Sequence, residues 1–581
     1  MLWAALAAIL FLNYEAWMQD YPSTASNDVP RAAAGGPTGS LGEFVPQAGA
    51  PPANSAAPAA GPPAAGSPAA GSPAAGLPDN VPPTADAPPT PPAPDRSASP
   101  TAMPDLHVVT DVLDVAINLR GGELDRADVL DYPVHKDTPN IPVRLFNRDG
   151  EDSFLLQSGL TGTAGEDLPT HLATWTAAQD SYVLPDGALE LRVPLTWTDA
   201  HGLHVTKTFT FKRGSYAIDL SYEVRNDGTT ARSMAEYSQF LRHWVKPSRS
   251  YFDVETYSFK GPAVYDGTKA EDLKIDNETD AKFSQVVTNG WIASLQHHFV
   301  AAIVPEAGQP NRMQLKVQGQ QYLLSTTGPM TTVPAGGSAK FDEKIFVGPK
   351  LQAQLADAGP RLDLTADYGK LTVLAHPLFV MLKWVHALVG NWGWAIIIVT
   401  ALIKLLFYPL SQASGRSMAK MRAIAPRMKQ IQDSFKDDRE KLGRAMMDLY
   451  KKEKINPLAG CLPMVVQIPF FISFYWVLLE SVEMRQAPFL LWINDLSARD
   501  PFFVLPLLMG GAMFAQYKLN PAPPDPMQAK IMQFMPLVMT GMMAWFPSGL
   551  VLYWLTNTVL SIAQQWRVNQ VVQVEAAKQR S

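Results

Sequence analysis

One cysteine, Cys461, occurs in 581 residues. A lone thiol makes neither an intramolecular disulfide nor a thiolate metal cluster, so stapled scaffolds and zinc modules are excluded. Charge is scarce as well, with 18% Asp, Glu, Lys and Arg against 47% hydrophobic residues. A chain so apolar cannot remain a solvated polymer and must bury much of itself. Walker loop, HExxH pair, nucleophile elbow and cysteine-nucleophile motif are all missing, which leaves the membrane half without a catalytic candidate. LAGC at 458–461 looks like a lipoprotein acylation box, but it lies far inside the chain, where no signal peptidase cuts. A mean hydropathy of -0.04 hides a split between a polar front and long uncharged stretches behind it.

Residues 1–18 are apolar apart from Asn13 and Glu15 and read as an N-terminal membrane anchor. A cleaved signal peptide competes with that reading, but it lacks a basic n-region and a small-residue cleavage site before Tyr21. The missing basic residue leaves the anchor's orientation unset or puts the native start upstream. The segment 19–104 follows as a disordered Pro/Ala/Gly-rich tether, with 20 of the 50 prolines between Pro30 and Pro104 and a near-repeat PAAGS. Without periodic large apolar residues, nothing there can pack. From 105 to 355 the period becomes two. Leu113, Val115, Ile117 and Leu119 alternate with polar or small residues before Gly121 and Gly122, and Ile218, Leu220, Tyr222 and Val224 alternate before Asn226, Asp227 and Gly228. Many short strands with turn signals predict a large antiparallel sandwich.

Helical periodicity takes over after Tyr368. Leu378, Met381, Leu382, Val385 and Leu388 share one face of an amphipathic helix expected over 361–390, lying flat on a membrane or serving as a core helix. Apolar stretches then follow at 393–409, 459–479 and 501–517. Residues 531–566 carry no charge over 36 positions, too long for one crossing, and Pro547, Ser548 and Gly549 supply a turn. With the anchor this makes six crossings, five of them in a core over 391–570, and a tail over 571–581. The segment 411–458 holds 12 Lys plus Arg against 6 Asp plus Glu, whereas 480–500 holds two basic and four acidic residues. The basic segment is therefore expected in the cytoplasm, with the sandwich outside. Apolar residues at helical spacing make it an antiparallel helical hairpin, with Pro426 kinking or starting a helix. The hairpin is either a solvated connector or a dock for an anionic partner such as ribosomal RNA or lipid.

Lys404 is the basic residue inside an apolar span. Either it snorkels to the headgroups, or it faces a wet cavity beside Thr400, Gln516 and Tyr553 as a fixed cation that attracts carboxylates. Sixteen of the 22 methionines follow Phe379, which suits a soft surface for varied apolar partners or ordinary span packing.

NWGWAIIIVT with YPL behind it, INPLAGCLP, MRQAPFLLWINDLSARDP, DPMQ and FPSGLVLYW, with TDVLDVAINLRGGEL ahead of them, resemble the YidC family of membrane-protein insertases over nearly the whole chain. The resemblance implies a polytopic α-helical membrane protein with a five-helix insertase core, a periplasmic all-β supersandwich and a cytoplasmic hairpin. It implies an insertase and chaperone of the Gram-negative inner membrane, alone or with the Sec translocon. The implied partners are nascent inner-membrane proteins, membrane lipids and a ribosome near the hairpin, with no cofactor and no specific nucleic-acid target. The family's groove arginine corresponds to Lys404, which keeps the charge and loses the guanidinium fork. Substrate contacts carry over to Thr400 and Trp554, with Tyr553 adjacent, and an apolar slide to Ile468, Pro469, Phe471, Val538 and Met542.

Two rivals remain. The sandwich could bind or epimerise a sugar, with His201, His204, His243, His297, His298 and Glu306 as acid and base candidates, or the helices could form a transporter.

Overall fold

The computed structural model describes residues 40–47, 105–163, 166–245, 258–366, 368, 371–435, 438–453, 462–519 and 526–578. The anchor expected over 1–18 and most of the tether lie outside the described residues. Within the tether's span, Leu41–Glu43 form a 3-10 turn and Leu41 is buried. Leu41, Phe44 and Val45 are large apolar residues in sequence that the surrounding Pro/Ala/Gly stretch lacks.

Strands run from Asp105 to Pro349 in two sheets, one of eleven strands and one of nine. The period-two runs pair as expected. Ala217–Asn226 lies antiparallel to Leu203–Lys212, with Ile218, Leu220 and Val224 opposite Phe211, Phe209 and Val205. On its other side is Ser338–Pro349. Asp105–Val109 with Ser181–Val183 departs from the antiparallel rule, because that short strand adds in parallel at the sheet edge. Trp175, Trp291, Tyr222, Phe209, Phe211 and Phe346 are fully buried, each a large apolar side chain worth about 1.5–3 kcal/mol when taken out of water.

A polar network interrupts this core. Lys207 is fully buried opposite Tyr222 and donates to the carbonyls of Gly122 at 2.7 Å, Gly121 at 3.2 Å and Ser158 at 3.3 Å. Both glycines have positive φ, and a Cβ on Gly121 would strike the His171 carbonyl. The GG pair therefore turns two carbonyls inward to solvate an ammonium, where side chains would not fit. Burial lowers the Lys207 pKa to about 7, against the opposing pull of Glu343 and Glu123. Across the core, Ser238 donates to Glu343, and burial raises the pKa of both Glu343 and Glu236.

Nine helices of the α type follow among the described residues: α1 Gln352–Ala358, α2 Thr372–Val389, α3 Trp392–Leu406, α4 Tyr408–Ser434, α5 Arg439–Lys452, α6 Leu462–Glu480, α7 Val504–Leu519, α8 Pro526–Met543 and α9 Ser548–Lys578. The amphipathic helix expected from 361 begins at Thr372. Arg361 takes a left-handed conformation and Leu362–Thr365 form a 3-10 turn instead. Ala375, Leu378, Phe379, Leu382 and Val385 of α2 are buried, while Val380, Trp384 and Leu388 are exposed. A break at 544–547 separates α8 from α9, and Pro547 immediately precedes α9, while Ser548 and Gly549 are already helical. α4 runs through Pro426 without a break, and Ile424 and Met428 pack against Leu449 of α5.

By length and composition, α2 is the helix long and apolar enough to cross a membrane among the described residues, while α3 and the first part of α4 qualify together, bent by 63°. The remaining helices do not pass that test, and Leu462–Glu480 and Pro526–Met543 each run on through an internal proline. Six crossings are thus not established by helix length.

Candidate functional site

Five helices are tied together at one end. Asn391 caps α3 by accepting from the Trp394 N–H at 3.1 Å, and its amide donates to the carbonyls of Pro488 and Phe489 in the α6–α7 loop. The Phe489 ring lies where a Cβ on Gly393 would stand, so glycine lets this loop close over α3. Ser548 at the start of α9 donates from its backbone to Ala498 O at 2.7 Å and from its hydroxyl to Asp495 O at 2.8 Å. Asp500 accepts from the Trp492 indole at 3.0 Å and the Leu505 N–H at 2.7 Å. On the α7–α8 side, a Cβ on Gly510 would strike Thr540.

A recess opens further along, where α3 bends into α4. Thr400, Lys404, Ser411, Gln467, Tyr553 and Asn557 supply its polar lining, with Ile403, Phe407, Leu410, Val466 and Phe470 as apolar wall. Its volume is about 30 Å³, room for one or two waters. Leu402, Leu405 and Leu406 on the same turns are exposed, while the Lys404 amine turns inward and donates to Ser561 Oγ at 2.7 Å. Ser561 in turn donates to Asn557 O at 2.7 Å. The Lys404 side chain thus lies along the recess on the side of α9. Among the described residues no carboxylate pairs with it. Its place in the last turn of α3 puts it near the negative end of the helix dipole.

Thr400 sits one turn before Lys404, and its hydroxyl donates back to Ile396 O at 2.6 Å. Tyr553 is buried and stacks on Phe474 at 4.5 Å. Trp554 meets Phe471 edge to face at 4.5 Å, beside the recess. Gln516 is half-buried on α7 and does not line the recess. Ile468, Pro469 and Phe471 are partly buried on α6, whereas Val538 (62% exposed) and Met542 (44%) face outward on α8 with Phe534 and Leu537. Gln467, Asn557, Ser561 and Ser411 were not singled out from the sequence. The readable signal was the spacing: Tyr553, Asn557 and Ser561 lie four apart along one face of α9, as Thr400 and Lys404 do on α3.

The histidine pool of the sugar-enzyme reading is scattered. His201 and His204 lie near Asp199 and Asp227, His243 meets Gln320, and Glu306 is exposed. His297 and His298 stack on each other at 3.8 Å, and both donate from Nε2 to Leu479 O, at 3.0 and 3.1 Å. Burial, with nearby Lys350 and Lys260, pushes their pKa down to about 2 and about 4. They anchor the sandwich to the end of α6 and are poor general bases.

Two family models match, "YidC periplasmic domain" over residues 105–381 and "60Kd inner membrane protein" over 384–576. A membrane protein insertase YidC of Nitrosococcus oceani is 42% identical over 99% of this chain and 98% of its own length. The chain belongs to the YidC family. Other YidC relatives include those of Thioalkalivibrio sulfidiphilus, 48% identical over 81% of this chain and 86% of the relative, and Pseudomonas putida, 47% identical over 82% and 85%. A crystal structure of an active YidC insertase matches 79% of this chain and 92% of that one at 18% identity and a TM-score of 0.35. A galactose mutarotase-like protein from Lactobacillus casei matches 42% of this chain and 99% of that one at 12% identity and a TM-score of 0.26. Scores this low carry no argument about fold or function. Within the YidC match, 105–381 covers the sandwich with most of α2, and 384–576 covers the recess with all its lining helices.

Proposed function

We propose that this chain inserts proteins into the bacterial inner membrane and helps them fold, alone or beside the Sec translocon, with Lys404 as the fixed cation of its groove. The inward turn of that amine, toward Ser561 in a recess lined by Gln467 and Asn557, carries the reading in a chain of the YidC family. α3, α6, α7, α8 and α9 cross the bilayer and 1–18 makes the sixth crossing. α2 lies along the outer surface, and the sandwich is periplasmic. α4 and α5 form a cytoplasmic hairpin beside the ribosome, and the C-terminus is cytoplasmic. The excess of basic residues over 411–458 supports this orientation.

The mechanism is relief of desolvation. A short polar tail crossing hydrocarbon leaves peptide and charged groups unsatisfied, at several kcal/mol each. A polar recess part-way through the bilayer shortens the dry path, and the ammonium draws a carboxylate into it. α3 has 15 residues and α7 has 16, less than the roughly 20 that a full hydrocarbon core requires, so the barrier is already thin beside them. The client's apolar helix leaves along Ile468, Pro469, Phe471, Val538 and Met542 into lipid, and its transfer drives the process. Thr400, Tyr553 and Trp554 line the path, with Gln516 at its margin.

Photo-crosslinkers at Thr400 and Met542 test this against a stalled nascent membrane protein. Both positions crosslink to the client's apolar segment under the proposal. Crosslinks at neither, in a protein that still supports insertion, would refute the route.

A further inference from the structure

A second cavity, of about 750 Å³, lies where the sandwich meets the α6–α7 loop. Five cationic side chains line it, Lys136, Arg144, Arg242, Lys260 and Arg485, against the carboxylates of Asp152 and Asp495. Arg144 is held by Asp128 at 2.7 Å, and Asp495 already accepts from Ser497. Lys136 donates to Asn494 O at 2.8 Å and Arg242 to Ser294 Oγ at 2.7 Å. Those acceptors are neutral, so the bonds fix the cations in place without cancelling their charge. The stacked His297 and His298 form part of the wall, and the ammonium groups of Lys260 and Lys350 help keep them uncharged. The lining therefore carries more fixed positive than negative charge.

The loop beneath the cavity points to where the anion comes from. Leu491 is 84% exposed and holds a left-handed backbone conformation, strained for a branched side chain, and Leu490 and Phe502 are exposed beside it. In water that arrangement gains nothing. It makes sense where these side chains enter acyl chains, which puts the cavity at headgroup depth. A volume of about 750 Å³ suits a small ligand rather than a polypeptide.

We propose that this cavity binds the phosphate of an anionic lipid headgroup from the outer leaflet, with Lys260, Lys136 and Arg242 as its cationic ligands. This rests on the membrane placement given above, in which the α6–α7 loop lies at the outer face.

Native mass spectrometry of the full-length protein, released from detergent with phosphatidylglycerol or phosphatidylcholine, tests it. The wild type retains phosphatidylglycerol in preference. Lys260→Gln, an exposed side chain whose loss leaves the fold intact, lowers that retention about fivefold, as expected for one basic group at an anionic surface. Lys269→Gln, elsewhere on the sandwich, does not. Equal retention by the wild type and Lys260→Gln would overturn the proposal. Displacement by equimolar inorganic phosphate would overturn the lipid source in favour of a soluble phosphate. Displacement by an acidic peptide, with no preference among lipids, would overturn it in favour of a polypeptide ligand. Asn494→Cys, an exposed polar position of the same loop, in a Cys461→Ser background, labelled in spheroplasts by a membrane-impermeant maleimide, checks the placement separately. Labelling with no lipid preference defeats the lipid site alone, and absence of labelling defeats the placement.

Discussion

The ammonium of Lys404 donates to Ser561 Oγ across 2.7 Å, and that hydroxyl donates in turn to the carbonyl of Asn557, four residues earlier on the same helix. Serine orients the amine without neutralising it. Under the proposed function that charge serves an arriving carboxylate in a setting of lower dielectric than water, where attraction is stronger.

Lys404→Ala should slow insertion of clients with acidic translocated tails about tenfold, the loss of one close charge pair, and affect neutral tails little. Lys404→Arg should retain most activity. Protease protection of radiolabelled clients in proteoliposomes reads both. Equal insertion of acidic-tailed clients by wild type and Lys404→Ala would remove the electrostatic part of the mechanism.

Asn557→Leu combined with Gln467→Leu replaces two polar groups of the recess with hydrocarbon. Insertion of every polar-tailed client should fall severalfold, because the tail loses hydrogen-bonding partners worth about 0.5–1.5 kcal/mol each. Thermal melting should stay within a few degrees of wild type, and a large fall in Tm would mark these residues as structural.

Gly393→Leu forces the Phe489 ring off α3. Overpacking of this kind costs about 1–3 kcal/mol, so the melting temperature should drop by several degrees and the α6–α7 loop should become protease-sensitive. Unchanged proteolysis would show that the loop closes by another contact.

The contact of His297 and His298 with Leu479 O should weaken in acid. Their folded pKa values, about 2 and about 4, lie below the ordinary 6.5, so the unfolded chain binds protons first as pH falls. Stability from this source is complete above about 6.5 and is lost as pH falls through about 4 for His298 and about 2 for His297. Lys260, Lys350 and Arg485 oppose protonation, and Glu480, 3.9 Å from His297, offsets them in part. Hydrogen exchange at Ser481, corrected for intrinsic rate, should be faster at pH 5 than at pH 7. The difference should shrink in a His297→Gln, His298→Gln variant.

Glu236→Gln should stabilise the protein increasingly as pH rises from 5 to 8. Burial, then the nearby Glu343, lifts the Glu236 pKa above its ordinary 4.5, so the native state keeps a proton that the unfolded state releases. That contribution is full below about 4.5 and declines as pH increases. Glutamine cannot ionise and escapes the penalty. Parallel melting curves across that range would refute the assignment.

The sandwich was legible because period two is a local property: runs such as Ile218 to Val224 bury every second side chain in any antiparallel pairing. The turn before Ser548 was legible from length alone. Lys207 was not, because a lysine among alternating residues reads as solvent-facing, and its carbonyl ligands come from Gly121, Gly122 and Ser158, far away in sequence. At the recess, charge made Lys404 conspicuous and identity in a family pattern marked Thr400, Tyr553 and Trp554. Asn557, Ser561 and Gln467 escaped because one neutral polar residue in an apolar run carries no direction until helices are placed together. Gln516 has the right chemistry on a helix that presents it elsewhere.

The α6 helix joins two jobs. Its Leu479 carbonyl is held by both histidines of the sandwich, and two turns earlier Phe471 lies against Trp554, about 12 Å away along the axis. Any tilt of that segment must either swing the whole outer domain with it or break both imidazole bonds. The sandwich therefore braces one helix of the recess through a single carbonyl, and what restrains that helix is the pair of imidazole contacts.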